Sequence, residues 1–130
     1  MKRFLIGCIG VLAAASAHAQ TAAPDPQAVT TEDFVLRDAG NLLELCKVQG
    51  TSEVAKEAIH FCHGFIAGTY QYHQALTPKF GRVVCPPENV TRNDGVRIFT
   101  EFLQANPQHL KGAPTEVLMQ SWIAKYPCRP

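Results

Sequence analysis

Four cysteines constrain the fold of this chain more than any other feature of its 130 residues. Cys46, Cys62, Cys85 and Cys128 remain when Cys8, which lies inside an apolar N-terminal run, is set aside. In an exported chain, an even number of cysteines without paired Cys-x-x-Cys spacing favours disulfides over a zinc site. The sequence therefore predicts a small domain with two disulfides, no metal and no cofactor.

The N-terminus predicts export. Lys2 and Arg3 precede an apolar run over residues 4–15, and small residues follow at Ala17 and Ala19. This arrangement is typical of a signal peptide over residues 1–19, cleaved after Ala19, which places the mature protein in the periplasm. The apolar run is shorter than the roughly 20 residues of a membrane-spanning helix, and no second run follows. We therefore expect no membrane anchor.

The rest of the chain predicts a short leader and one domain. Residues 20–30 carry two prolines and few large apolar side chains, which is typical of a flexible leader. The domain then spans residues 31–130. With 12 basic and 11 acidic residues, the chain lacks the basic excess expected of a nucleic-acid-binding protein. We expect a protein partner, and the sequence leaves a homodimer open.

Apolar periodicity predicts two helices in the first half of the domain. Thr30 or Thr31 is placed to cap the first helix, and Gly50 ends it. Ser52 is placed to cap the second helix, which we expect to end before Pro78 because proline cannot donate a helical hydrogen bond.

Two glycines stand four residues apart in the predicted second helix, Gly64 and Gly68. In a soluble helix this spacing lets another backbone approach closely, at a cost of roughly 1 kcal/mol per glycine relative to alanine. The pair therefore leaves room for a close contact on that face of the helix.

Two further helices are predicted in the second half. Thr91 with Asp94 approximates a capping box for the third helix, which ends near Asn106. Pro114 suits the first turn of a fourth helix that runs to about Tyr126. Because no useful strand-like alternation is present, the sequence predicts an all-α fold, a compact four-helix domain stapled by two disulfides.

Helix packing favours one pairing of the cysteines. If the third and fourth helices are antiparallel, the start of one lies beside the end of the other, which brings Cys85 close to Cys128. Cys46 then pairs with Cys62. This second bond is less comfortable, because Cys62 lies roughly 15 Å along its helix, so the first two helices must cross steeply.

A compact triplet, His60, Cys62 and His63, is the strongest candidate for chemistry. It could be a metal site or a thiol beside a base. However, positions 60 and 62 lie about 200° apart around a helix, so Cys62 faces the core while His60 faces away. We therefore favour a structural role for the triplet and predict that the protein is not an enzyme.

The best candidates for partner contact lie in a predicted loop over residues 77–89. They are Lys79, Phe80 and Arg82, because aromatic and arginine side chains are enriched at binding hot spots. The alternative is an ordinary solvated loop with Phe80 packed into the core.

Several segments resemble the Rap/Tai family of periplasmic immunity proteins, which protect bacteria from type VI secretion toxins that cut peptidoglycan. The matching segments are LLELC at 42–46, CHGFIAG at 62–68, VCPPENVT at 84–91, FLQANP at 102–107 and YPC at 126–128. The order and spacing of all four cysteines also agree. The resemblance implies a stoichiometric inhibitor that binds a peptidoglycan amidase effector and fills its substrate groove.

A second hypothesis comes from size and helicity. Periplasmic stress proteins such as acid chaperones are also small, exported and helical. That function requires a structure that loosens at low pH, whereas an inhibitor benefits from rigidity.

Overall fold

The computed structural model describes residues 28–129. They form four α-helices, named α1 (Ala39–Lys47), α2 (Glu53–Phe80), α3 (Arg92–Ala105) and α4 (Pro114–Lys125), with short 3-10 turns at Asp33–Val35 and Pro107–His109. The predicted all-α four-helix fold is confirmed. The predicted signal peptide and most of the leader lie outside the described residues. None of the described helices is long and apolar enough to cross a membrane.

The first helix begins later than predicted, at Ala39 rather than near Thr31. Thr30 does make a local cap, because its amide and hydroxyl both donate to the Asp33 carboxylate at 2.9 Å. That cap closes only the 3-10 turn, which ends where Leu36 adopts a left-handed conformation at φ 53°. The cap of α1 is Asp38, whose carboxylate accepts the Asn41 amide at 3.1 Å.

The start of α1 is also held by a distant loop. The Ala39 amide donates to the Gly112 carbonyl at 2.8 Å, and the Gly40 amide donates to the Leu110 carbonyl at 2.9 Å. These bonds satisfy two of the amides that a helix start leaves without intrahelical partners. They fix α1 against the segment that precedes α4.

The second helix is longer than predicted and continues past Pro78 to Phe80. Ser52 caps it as predicted, accepting the Ala55 amide at 3.2 Å. Pro78 removes one donor, but the Gly81 amide donates to the Thr77 carbonyl at 2.9 Å and completes another turn. A proline so close to the end of a helix therefore does not stop it.

The space that Gly64 and Gly68 leave is not used within residues 28–129. Both glycines are exposed, and a Cβ built at either position meets no atom of the described residues within 4 Å. The close approach is at Gly95 instead, where a Cβ would lie 3.0 Å from Ile66 Cγ2 and 3.9 Å from Trp122 Cζ2. Gly95 thus lets the start of α3 lie against α2 and α4.

The predicted capping box of α3 is confirmed. The Thr91 hydroxyl accepts the Asp94 amide at 3.2 Å, and the Asp94 carboxylate accepts the Thr91 amide at 3.0 Å. Pro114 is in the first turn of α4, as predicted. All four helices contribute to one core, whose largest fully buried apolar side chains are Phe99, Leu42, Leu45, Leu103, Leu118, Val84 and Val117.

Both predicted disulfides are present. Cys46–Cys62 joins the last turn of α1 to the middle of α2, with the two Cα atoms 5.3 Å apart. Cys85–Cys128 joins the loop before α3 to the segment after α4, with a Cα separation of 4.9 Å. The first bond is buried in the core, whereas Cys85 of the second is exposed.

Candidate functional site

The candidate site is the end of the molecule where α2 stops and the loop to α3 begins. The last fully buried side chain of α2 is Ile66, so the helix continues for several turns with only exposed or half-buried residues. Gly81 then turns the chain at φ 83°, a conformation that favours glycine because it lacks a Cβ. The turn directs residues 82–91 back across the ends of α3 and α4.

The loop is fixed to the end of α4 at two adjacent residues. Val84, which is 2% exposed, forms an isolated antiparallel bridge with Pro127, and the Cys85 amide donates to the Tyr126 carbonyl at 2.9 Å. The Cys85–Cys128 disulfide joins the same two segments. Backbone bonds and a covalent bond therefore hold the loop in one place.

The structure places the three predicted contact residues together on the surface, but not all in a loop. Lys79 and Phe80 belong to the last turn of α2, and only Arg82 lies in the loop. Phe80 is 67% exposed, so it does not pack into the core. The Lys79 ammonium lies 5.2 Å from the centre of the Phe80 ring, within reach of a cation–π contact.

A cleft of about 550 Å³ lies beside these residues, between α2, the loop, and the ends of α3 and α4. Its apolar lining includes Trp122, which is 5% exposed, and Tyr70, whose ring meets the Trp122 ring edge-on with centroids 5.8 Å apart. Its charged lining consists of Arg82, Glu88 and Arg92. The cleft can therefore accept an apolar group and also meet charge.

Ion pairs are unevenly distributed among the basic residues of the described chain. Half of them form salt bridges, for example Arg37 with Glu32 and Lys56 with Glu53. The other half form none with residues 28–129; they are Lys79, Arg82, Arg92, Lys125 and Arg129. Lys125 and Arg129 lie within three residues of Cys128 in the sequence, and the other three lie within seven residues of Cys85.

The Asp94 carboxylate, close to this end of the molecule, already has hydrogen-bond partners in the cap of α3. Hydrogen bonds from the Thr91 hydroxyl and amide, and then from Arg97, lower the pKa of Asp94 to about 2. Asp94 therefore stays ionised in its cap over a wide pH range. Glu88 is the one acidic residue of the loop over residues 82–91, and it makes no salt bridge with any described residue.

The histidine and cysteine triplet does not form one site. Cys62 is fully buried and bonded to Cys46, so it offers no thiolate, while His60 is exposed. This confirms that the two side chains face opposite ways. Within residues 28–129, no three His, Cys, Asp or Glu side chains come together in a group that could hold a metal ion.

The cleft itself was not predicted from the sequence. Its walls come from four separate segments, and Trp122, Tyr70 and Arg92 meet only after the helices pack. One signal could have indicated it, because the predicted Cys85–Cys128 pair already places the loop over the end of the helix that carries Trp122.

Comparison with known protein families agrees with this architecture. The sequence model of the Rap1a immunity proteins matches residues 38–128, a range that includes all four helices, both disulfides and the cleft. The chain belongs to the Rap1a immunity protein family. Membership in the Rap1a family confirms the predicted resemblance and indicates an immunity protein that acts against a bacterial toxin. Searches of curated proteins and of solved structures returned no match.

Proposed function

We propose that this Rap1a family member is a periplasmic immunity protein that binds a peptidoglycan-cleaving amidase toxin of a type VI secretion system. It acts without catalysis, by filling the substrate groove of the toxin. The family match supports the immunity function. The residues that the proposal assigns to the contact are Lys79, Phe80 and Arg82.

Two features support the periplasm as the place of action. The first is the signal-like N-terminus, with basic residues, an apolar run and small residues before the expected cleavage point. The second is the pair of disulfides, which form and persist in oxidising compartments such as the bacterial periplasm. A toxin that attacks peptidoglycan acts in the same compartment.

The observation that carries the proposal is the exposure of Phe80 at the C-terminal end of α2. No residue of α2 after Ile66 is fully buried, and Phe80 is 67% exposed beside Lys79 and Arg82. An exposed aromatic side chain among cations has the composition of a binding hot spot, and a helix end can enter a groove that a flat helix face cannot.

The fixed loop favours tight inhibition. The Val84–Pro127 bridge and the Cys85–Cys128 disulfide fix the loop that contains Arg82 before any partner arrives. A preorganised binder loses little conformational entropy on association, so more of its contact energy becomes affinity.

The experiment is a pull-down of the mature protein against periplasmic peptidoglycan amidases, followed by calorimetry and an amidase assay. Replacing Phe80 and Arg82 together with alanine should weaken the complex by roughly 2 kcal/mol or more. The thermal midpoint should remain nearly unchanged. Tyr72→Ala is the matched control, because Tyr72 is an equally exposed aromatic residue of α2, at 66%.

Three results would contradict the proposal at different points. If no amidase binds or is inhibited, the function is wrong. If an amidase binds the double variant as tightly as the parent, the contact surface is wrong. If Tyr72→Ala weakens the complex as much as the double variant, the toxin contacts another face of α2.

A further inference from the structure

We infer that the cleft beside the contact surface is a docking site for an acidic segment of the toxin, which inserts an apolar side chain against Trp122. This inference rests on the proposed function, because the toxin supplies the segment. The interface then has two parts. Phe80 inserts into the substrate groove of the toxin, and the acidic segment of the toxin inserts into the cleft.

The charge at this end of the molecule argues for an acidic occupant. Arg82 and Arg92 line the cleft, and neither forms a salt bridge with residues 28–129. Glu88 is the one acidic side chain of the lining. Lys125 and Arg129, within three residues of Cys128 in the sequence, add positive charge without ion-pair partners among the described residues. Complementary charge of this kind steers a partner and fixes its register.

The interior of the cleft argues for an apolar side chain between the acids. Its volume of about 550 Å³ falls within the usual range for pockets that bind organic groups. Trp122 and Tyr70 meet edge-on in the lining, and Ile66 and Ile98 extend its apolar surface. An aromatic or branched aliphatic side chain would bury its surface there, while its acidic neighbours reach the two arginines.

The wall from α2 adds hydrogen-bonding groups without charge. Gln71 and Gln74 line the cleft on the exposed side of the helix. Their amides can bond to the backbone of an extended segment. They also offer a test, because glutamate at these positions has the same shape as glutamine and would reverse the charge balance of the cleft.

The first experiment needs no identified toxin. A phage-displayed library of random twelve-residue peptides is selected against the mature protein, and the enriched peptides are synthesised. We expect them to combine Asp or Glu with an aromatic or aliphatic residue. Their binding should change the fluorescence of Trp122, the single tryptophan of the chain. Added salt should weaken it.

Charge reversal then locates the site. Arg82→Glu with Arg92→Glu should weaken peptide binding at least tenfold. The matched control, Lys47→Glu with Lys56→Glu, makes the same change in net charge at exposed residues away from the cleft and should bind like the parent. If the arginine variant does not fold, Gln71→Glu with Gln74→Glu replaces it and should also weaken binding.

The inference is overturned if no peptide is enriched, if the enriched peptides lack acids, or if the arginine and control variants bind equally. The toxin provides the second comparison. If the toxin binds the Gln71 and Gln74 variant like the parent but binds the Phe80 and Arg82 variant weakly, the cleft is not used while the proposed function stands. If acidic peptides occupy the cleft but no amidase is inhibited, the docking site stands and the amidase function fails.

Discussion

Alanine at Gly64 and Gly68 should make the protein more stable. Both glycines lie in the interior of α2, they are exposed, and a Cβ at either position meets no atom of residues 28–129 within 4 Å. Glycine in a helix interior has excess backbone freedom in the unfolded chain, which alanine reduces. The new methyl groups would cause no clash.

The expected size of the effect follows from the open surroundings. Each substitution should raise the free energy of unfolding by roughly 0.5–1 kcal/mol, since no packing loss offsets the helix propensity of alanine. The double variant should therefore gain roughly 1–2 kcal/mol. For a domain of about 100 residues, 1 kcal/mol corresponds to a shift of about 4–8 °C in the thermal midpoint.

Gly95→Ala is the matched control, because it makes the same chemical change in a crowded place. The new Cβ would lie 3.0 Å from Ile66 Cγ2, and both residues are buried. Overpacking of this kind typically costs about 1–3 kcal/mol, which exceeds the gain in helix propensity. We therefore expect Gly95→Ala to lower stability.

Thermal melts and urea titrations followed by circular dichroism measure the stability of the Gly64 and Gly68 variants, singly and together, and of Gly95→Ala. The reasoning is refuted if the Gly64 and Gly68 variant unfolds more easily than the parent. That result would mean that another surface packs against these glycines in solution. A change in sedimentation behaviour between parent and variant would then identify a second copy of the chain as that surface.

Three further predictions concern the disulfides, the cap of α3 and acid. Replacing Cys85 and Cys128 with serine should cost about 4 kcal/mol in urea unfolding, since the bond spans 43 residues; two reactive thiols in the oxidised parent would contradict the bond. Asp94→Ala should destabilise the protein at neutral pH. Because the folded pKa of Asp94, about 2, lies below its ordinary value of 3.8, this deficit should shrink as the pH falls from about 4 to 2; a deficit independent of pH would refute it. A rigid inhibitor should keep its near-ultraviolet dichroism at pH 3, whereas an acid chaperone should lose it while remaining helical.

Local signals in the sequence predicted the helices and the disulfides well. Ser52, Thr91 with Asp94, and Pro114 act at helix starts as their side chains indicate. The Cys85–Cys128 pair followed from antiparallel packing of the helices on either side. These features depend on residues close in sequence or on a simple packing rule.

The predicted helix ends were wrong where two local signals competed. The sequence could not show which surfaces pack together. Thr30 forms a cap with Asp33, but the left-handed Leu36 ends that turn and leaves the helix start to Asp38. Pro78 removes a hydrogen bond so near the end of α2 that the helix tolerates it. The spacing of Gly64 and Gly68 shows that a backbone could approach, not that one does.

The candidate site was predicted only in part for the same reason. The residue types of Lys79, Phe80 and Arg82 suggested contact, and the structure leaves all three at the surface. The cleft depends on where four segments meet, which no single stretch of sequence contains. The packed structure reveals the cavity, with Trp122 in its lining beside the loop.

The absence of fully buried residues in α2 after Ile66 has a consequence for how such a protein diverges. Substitutions at exposed positions usually change stability by less than about 0.5 kcal/mol, so the exposed positions among residues 67–80, such as Tyr72 and Phe80, can vary at little cost to folding. The disulfides and the core lie elsewhere and keep the fold constant. If this helix end contacts the toxin as we propose, duplicated genes can acquire new toxin specificities through a few changes there, while each copy remains a stable protein.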